Sequence, residues 1–183
     1  MTTHSLDIVL VSYNGSFWLK KTLLSLEKYY LSKTRHQVKV WLVDNASSDD
    51  CVAMTQKEFP FVNIIRSPTN VGFAAGNNLA LRKVSSDYVF LLNTDTQLDE
   101  RSNIDLLIDY LAANPQVGMM GPKLLLTGGQ LDAACHRGEP TPWASFCYFF
   151  GLAKLFPHWK LFSAYHRGDL DLSTTHQIGR AHV

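Results

Sequence analysis

Long runs of one character are what this sequence lacks. No stretch of Lys and Arg exceeds two residues, and the formal net charge is +1 over 183 residues. An extended nucleic-acid footprint needs clustered cations to displace counterions, so nucleic acid is excluded as a partner class. Cysteine is scarce: Cys51, Cys135 and Cys147 are odd in number and not closely spaced. That pattern supports neither a disulfide framework nor a zinc knuckle, and it fits a reducing compartment. The seven histidines show no His-x-x-x-His or Cys–His spacing, and His136 and His158 read as loop residues rather than ligands. No charged segment and long apolar stretch open the chain as in a secretion signal, and Ile8–Val11 is only a strand's worth. The most apolar later stretch, Trp143–Phe162, is broken by Lys154, Pro157, His158 and Lys160, so it cannot span a bilayer, although it can lie on one. No G-x-G-x-x-G follows the first apolar run, which excludes a dinucleotide oxidoreductase.

What is present is a globular composition. Hydrophobic residues make up 46% and charged residues 18%, enough for one core and too apolar for a disordered tail. Five short apolar runs alternate with helical patterns. The runs are Leu6–Val11, Val38–Val43, Val62–Ile65, Tyr88–Leu92 and Val117–Met120. Between them, Leu19, Leu23, Leu26 and Tyr30 fall on one helical face, and a second helix is expected from Ser47, with Ser47 as cap and Asp50 three residues on. A third is expected over about Ala74–Lys83, and a fourth carries Ile104, Leu107, Ile108 and Leu111. This alternation predicts a mostly parallel α/β sheet with helices on both faces. Polar, turn-prone clusters then gather along one edge of it: Ser12–Gly15, Asp44–Asp49, Asn70–Asn78 and Asn93–Asp95. After Gly121 the alternation fails. Gly128-Gly129 reads as a hairpin turn, and the aromatic stretch beyond it as an amphipathic helix or loop, with Tyr148-Phe149-Phe150 as core or membrane-facing packing.

Four ordered motifs carry a resemblance. Asp7-Ile-Val-Leu-Val-Ser-Tyr-Asn14, Val43-Asp-Asn-Ala-Ser-Ser-Asp49, Asn70-Val-Gly-Phe-Ala-Ala-Gly-Asn-Asn78 and Leu91-Leu-Asn-Thr-Asp-Thr96 resemble the signatures of family 2 glycosyltransferases, which have the GT-A fold. The wording is closest to the rhamnosyltransferase-like branch that builds bacterial surface polysaccharides. The resemblance implies an inverting, metal-dependent transfer of a sugar, rhamnose in that branch, from a nucleoside diphosphate donor of dTDP or UDP type. The acceptor would be a saccharide or lipid-linked. It assigns Ser12, Tyr13, Asn14, Asp44, Asn45, Gly72, Asn78 and Asn93 to the donor and Asp95 to a divalent cation, magnesium or manganese.

The residues have readings of their own beside it. Asp44 ends an apolar strand, where a carboxylate has no packing role; it can accept the N–H of a pyrimidine base, its usual duty in the family, or cap the next helix, a task Ser47 and Ser48 also offer. Asp49 and Asp50 read as capping and helix-dipole residues. Gly72 and Gly76 let backbone approach a ligand closely, and the helix starting near Ala74 offers free N–H groups to an anion; a turn with a helix cap, and core packing for Phe73, is the alternative. Asn93-Thr94-Asp95 stands where the family has Asp-x-Asp, or is simply a strand-ending turn. Magnesium needs only one or two protein carboxylates beside phosphate oxygens, so Asp95 suffices and Asn93 orients or offers its carbonyl.

An inverting transferase also needs a general base, and the acidic motif that usually provides it is not found in Gln97–Val183. The last six residues, Ile178–Val183, translate one reading frame of a common short-read sequencing adaptor, so the native chain is expected to continue past Gln177. The expected organisation is a nucleotide-sugar-binding domain over 1–122, the start of an acceptor-side region over 123–177 and a non-native tail over 178–183. A cytoplasmic location is expected, at the inner face of a membrane where 143–162 makes peripheral contact. A non-catalytic nucleotide-sugar binding module is the alternative of a different class. A sugar-nucleotide-forming nucleotidyltransferase wants a Gly-rich phosphate loop that Ser12–Gly15 does not provide.

Overall fold

The computed structural model describes residues 2–132, 141–156 and 158–164. Cys135, His136, Pro157, Asp169 and the 178–183 tail lie outside them. Four apolar runs become the strands β1 (Ser5–Ser12), β2 (Gln37–Asp44), β3 (Val62–Arg66) and β4 (Tyr88–Leu91). All pair in parallel in the order β3-β2-β1-β4. Helices α1 (Ser16–Leu26), α2 (Cys51–Glu58) and α3 (Phe73–Leu81) connect them. The GT-A-type α/β sheet is therefore as expected. Its fifth expected strand is not. Val117–Met120 joins no ladder among the described residues and exposes Met119, and an extended segment with no hydrogen-bonding partner is not a strand.

Strand order decides where the helices go. The chain steps outward from β1 through β2 to β3, and then crosses back to place β4 on the other side of β1. Right-handed crossovers put α1 and α2 on one face and α3 on the other. The cores bear this out. Leu6, Ile8 and Leu10 of β1 bury with Leu19, Leu23 and Leu26 of α1, Cys51 and Met54 of α2, and Ile104 and Ile108 of α4 (Ile104–Ala113). Val9 and Val43, pointing the other way, bury with Ala80 of α3. Both sheet faces are thus covered, which explains apolar runs rather than alternation. After α1 the backbone widens into a π-turn at Glu27–Leu31, which delivers Tyr30 to the same core.

One compact unit ends at Asp109, and a second runs from Tyr110. The division falls within α4. In the second unit Leu125 and Leu131 form an antiparallel bridge around Gly128-Gly129, where Gly129 takes a positive φ of 78° and donates to the Leu126 carbonyl at 2.8 Å. The hairpin turn read from the glycine pair is present. The aromatic stretch folds as α5 (Pro142–Phe149), α6 (Leu152–Leu155) and α7 (Lys160–Ser163).

Gly76 shows how closely α3 approaches the sheet. A Cβ there would lie 2.9 Å from Cγ1 of Val11, so this glycine serves helix–strand packing rather than access to a ligand. Alanine would gain about 1 kcal/mol of helix propensity, but a stiff β-branched neighbour leaves overpacking of about 1–3 kcal/mol to dominate. Gly76→Ala is expected to lower the urea-unfolding free energy, and Val11→Ala in the same chain to restore part of it. A stabilised single variant would show that α3 is not held this tightly.

Candidate donor site at the carboxyl edge of the sheet

In an open parallel sheet ligands bind outside the carboxyl ends of the strands where strand order reverses. Here that point lies between β1 and β4. Three loops meet beside it and hold one another by side-chain hydrogen bonds. Asn45, buried after β2, is central: its Nδ2 donates to Asn70 Oδ1 at 2.9 Å and to the Gly72 carbonyl at 3.3 Å, while its Oδ1 accepts from the Val71 N–H at 2.9 Å. Its own N–H donates to the Ser12 carbonyl at 2.9 Å. Asn45 thereby ties the end of β1 to the loop before α3. Asn14 does the same between the first two loops, its Oδ1 accepting from the N–H and hydroxyl of Ser48 at 2.8 and 3.1 Å. The φ angles of Asn14, Ala46 and Gly72 are all positive, at 51°, 64° and 81°. Such sparsely populated backbone conformations persist only where surrounding contacts enforce them.

Asp44 is buried and already partly engaged. Its Oδ1 accepts from the Ser47 N–H at 3.0 Å and from the Cys51 thiol at 3.6 Å. Burial pushes that thiol up to about 11, so it stays protonated and able to donate. The other oxygen, Oδ2, lies 3.9 Å from Nε of Arg66. Asp44 therefore has a loop-fastening role as well as a remaining acceptor. Ser47 does not cap a helix as expected: its hydroxyl accepts from the Asn14 N–H at 3.1 Å, and α2 begins only at Cys51 with Asp50 making no side-chain cap. Capping falls to Asp49, and it works across loops. Its Oδ2 accepts from the Ser16 N–H at 2.9 Å, at the start of α1 where Gly15 has no side chain to offer, and its Oδ1 from the Cys51 N–H at 3.2 Å.

The rest of the expected site is exposed. Tyr13 and Asn78 present their side chains to solvent, whereas Asn77 is buried and donates to the Phe73 carbonyl at 2.9 Å. Phe73 is exposed too, against the core-packing alternative. Ser12 is buried, and among the described residues its hydroxyl finds no hydrogen-bond partner. After β4 the chain turns at Thr94-Asp95; the Thr94 carbonyl accepts from Thr22 of α1 at 2.7 Å, leaving Asn93 and Asp95 exposed. Among the described residues no group of three His, Cys, Asp or Glu side chains could hold a metal by itself. A single exposed carboxylate, Asp95, fits a cation shared with a bound diphosphate rather than an all-protein cage. The third apolar run, Val62–Ile65, stops one residue short of Arg66, which ends β3. Its signal was a cation directly at a strand's carboxyl end.

Residues 7–154 match the model of glycosyl transferase family 2, and the chain belongs to that family. It is similar to the N-acetylglucosaminyl-diphospho-decaprenol L-rhamnosyltransferase of Mycobacterium tuberculosis, 28% identical over 131 residues, 66% of this chain and 41% of that protein. An uncharacterized glycosyltransferase of Haemophilus influenzae is 27% identical over 93 residues, 49% of this chain and 36% of its own. The chain thus spans well under half the length of these relatives. Among solved structures, S. aureus TarS 1–349 in complex with UDP-GlcNAc superposes with a TM-score of 0.58 at 18% identity, covering 76% of this chain and 38% of that one. The mannosyltransferase PcManGT from Pyrobaculum calidifontis in complex with GDP-Man and Mn2+ gives 0.59 at 21%, covering 68% and 37%.

Asp49 supplies the prediction here. Burial opposes its ionisation, but N–H donors from Ser16 and Cys51 outweigh that and hold its carboxyl below the ordinary 3.8. A depressed folded-state value stabilises the fold above the unfolded value and is lost as pH falls through the folded one. Asp49→Ala is expected to cost about 1 kcal/mol at neutral pH, as lost helix caps do. The gap from wild type should narrow as pH falls below ~4 and close only under the depressed folded-state value, where the carboxylate is protonated in both states. Denaturant unfolding across pH reads it, and a gap independent of pH would assign the loss to packing instead.

Proposed function

We propose that this chain forms the donor-binding part of an inverting glycosyltransferase. It would move a sugar, rhamnose in the reading we favour, from a dTDP- or UDP-sugar to a saccharide or lipid-linked acceptor, with a magnesium or manganese ion. The observation that carries this reading is that Ser12, Asp44 and Asp95 stand at or just beyond the carboxyl ends of the neighbouring strands β1, β2 and β4, with Asp44 only half engaged and Asp95 exposed. The relatives' names, a rhamnosyltransferase with a decaprenol-linked substrate and structures holding UDP-GlcNAc or GDP-Man with Mn2+, agree with it.

Each group then has a task. Asp44 Oδ2 accepts the imide N–H of a pyrimidine base, with the exposed Tyr13 ring available to stack on it. The free N–H groups at the start of α3, following Gly72, face anionic diphosphate oxygens. Asn78 and Asn93 supply amide donors and acceptors to the donor. Asp95 holds the cation, which when bound offsets the charge left on the departing diphosphate. The acceptor hydroxyl would attack the anomeric carbon as that carbon's bond to diphosphate oxygen breaks, its proton passing to a general base, and configuration inverts.

Calorimetric titration of UDP and GDP, with and without Mn2+, tests the assignment. Wild type should bind UDP at least tenfold more tightly with the metal. Asp95→Ala should erase that metal effect for both nucleotides while leaving the unfolding midpoint unchanged. Asp44→Asn should weaken UDP by roughly ten- to a hundredfold, the worth of one charge-assisted hydrogen bond, and GDP much less. Metal-independent binding in the wild type refutes the Asp95 assignment, and equal losses for both bases refute the Asp44 one.

A further inference from the structure

The second unit's helices invert the usual rule of burial. In α5 and α7 the buried side chains are small, namely Ala144, Cys147 and Ser163, and α6 buries none. The large aromatic groups are left outside. They are not scattered: Phe150, Phe146, Trp143, Phe162, Phe156 and Trp159 form one connected series of rings, with neighbouring centroids 4.4–6.4 Å apart. Phe150 remains 70% and Trp159 62% exposed within this series, and Leu155 beside them 71%. Soluble surfaces rarely present a contiguous apolar patch of this kind without a partner.

Charge identifies the partner. From residue 141 to 164 the charged side chains are Lys154 and Lys160, with no Asp or Glu at all, and both lysines are exposed. A neutral apolar groove on a protein partner would place no such requirement on charge of one sign. An anionic lipid surface would, because it attracts lysines at the headgroups while Trp rings settle at the boundary between headgroups and acyl chains. Trp143 lays its ring against Phe146 and donates its indole N–H to the Leu161 carbonyl at 3.0 Å, so no donor is left unpaired when the ring enters an apolar boundary. No described helix is long and apolar enough to cross a membrane.

We propose that the aromatic surface of α5, α6 and α7 is a membrane-docking face, which lays its rings into the interface of an anionic bilayer with Lys154 and Lys160 at the headgroups. Nothing in this depends on the donor-site assignment, so either can fail alone.

The test is co-sedimentation of the 183-residue chain with vesicles of phosphatidylcholine alone or with roughly one third phosphatidylglycerol. Binding should be at least tenfold tighter to the anionic vesicles and should weaken with salt. Lys154→Glu with Lys160→Glu should remove that preference, since each lysine near the surface is worth roughly fivefold. Lipids brominated near the headgroup locate the contact in the folded wild type: they should quench tryptophan fluorescence, and Trp143→Phe with Trp159→Phe should abolish the quenching while Trp18→Phe leaves it. Three results would overturn the proposal: equal, salt-insensitive binding to both vesicle types, quenching that survives loss of Trp143 and Trp159, or self-association that buries these two tryptophans with no vesicle binding.

Discussion

The carboxyl edge of the sheet depends on Asn45. Three loops arrive there from different strands, and none has enough regular structure to fix itself. A single buried amide uses both its donor and its acceptor to join the end of β2 to the Asn70–Gly72 loop, while its backbone N–H joins it to β1. A buried amide left half-satisfied costs about 1–3 kcal/mol, so the alternatives in which these loops separate are disfavoured. Once they are held, Gly72 can keep its positive φ and start α3 at the edge of the crevice, and Asn14 and Asp49 can complete the contact between the first and second loops.

This arrangement separates two classes of polar residue that look alike in sequence. Asn14, Asn45, Asn70 and Asn77 spend their side chains on protein backbone or on each other. Tyr13 after β1, Asn78 of α3, and Asn93 and Asp95 after β4 face solvent instead. Asp44 belongs to both, with one oxygen committed to Ser47 and Cys51 and the other facing Arg66. The loops are thus held by their own polar side chains, and most of the side chains proposed to touch the ligand are those that face solvent.

The architecture was legible because hydrophobic runs and breakers are local. Four strands, the helices between them and the hairpin at Gly128-Gly129 follow from such patterns. Val117–Met120 was misread because an apolar run specifies a strand only where a ladder partner meets it, and pairing is not local. The caps were misread for a related reason. Ser47 and Asp50 have the spacing of a capping box, yet Asn14 from another loop takes the Ser47 hydroxyl, and Asp49 reaches across to Ser16. Gly76 looked like ligand access because a sequence does not show that Val11 lies beneath it. That Asn14, Asn45 and Asn70 are clasps likewise rests on contacts 25 to 34 residues apart.

The central claim is that a cation and a nucleoside diphosphate meet at the β1/β4 end of the sheet, with Asp95 as the protein's ligand. Paramagnetic Mn2+ broadens amide resonances near it, and strands of this length put the two ends of the sheet about 25 Å apart. With UDP present, substoichiometric Mn2+ should first erase the amide signals of Asn93–Asp95, then those of Ser12–Asn14 and Val71–Phe73. The signals around Thr34 and His36, at the opposite end of β2, should keep their intensity. Broadening centred at that opposite end, or the same pattern with and without UDP, would contradict the account.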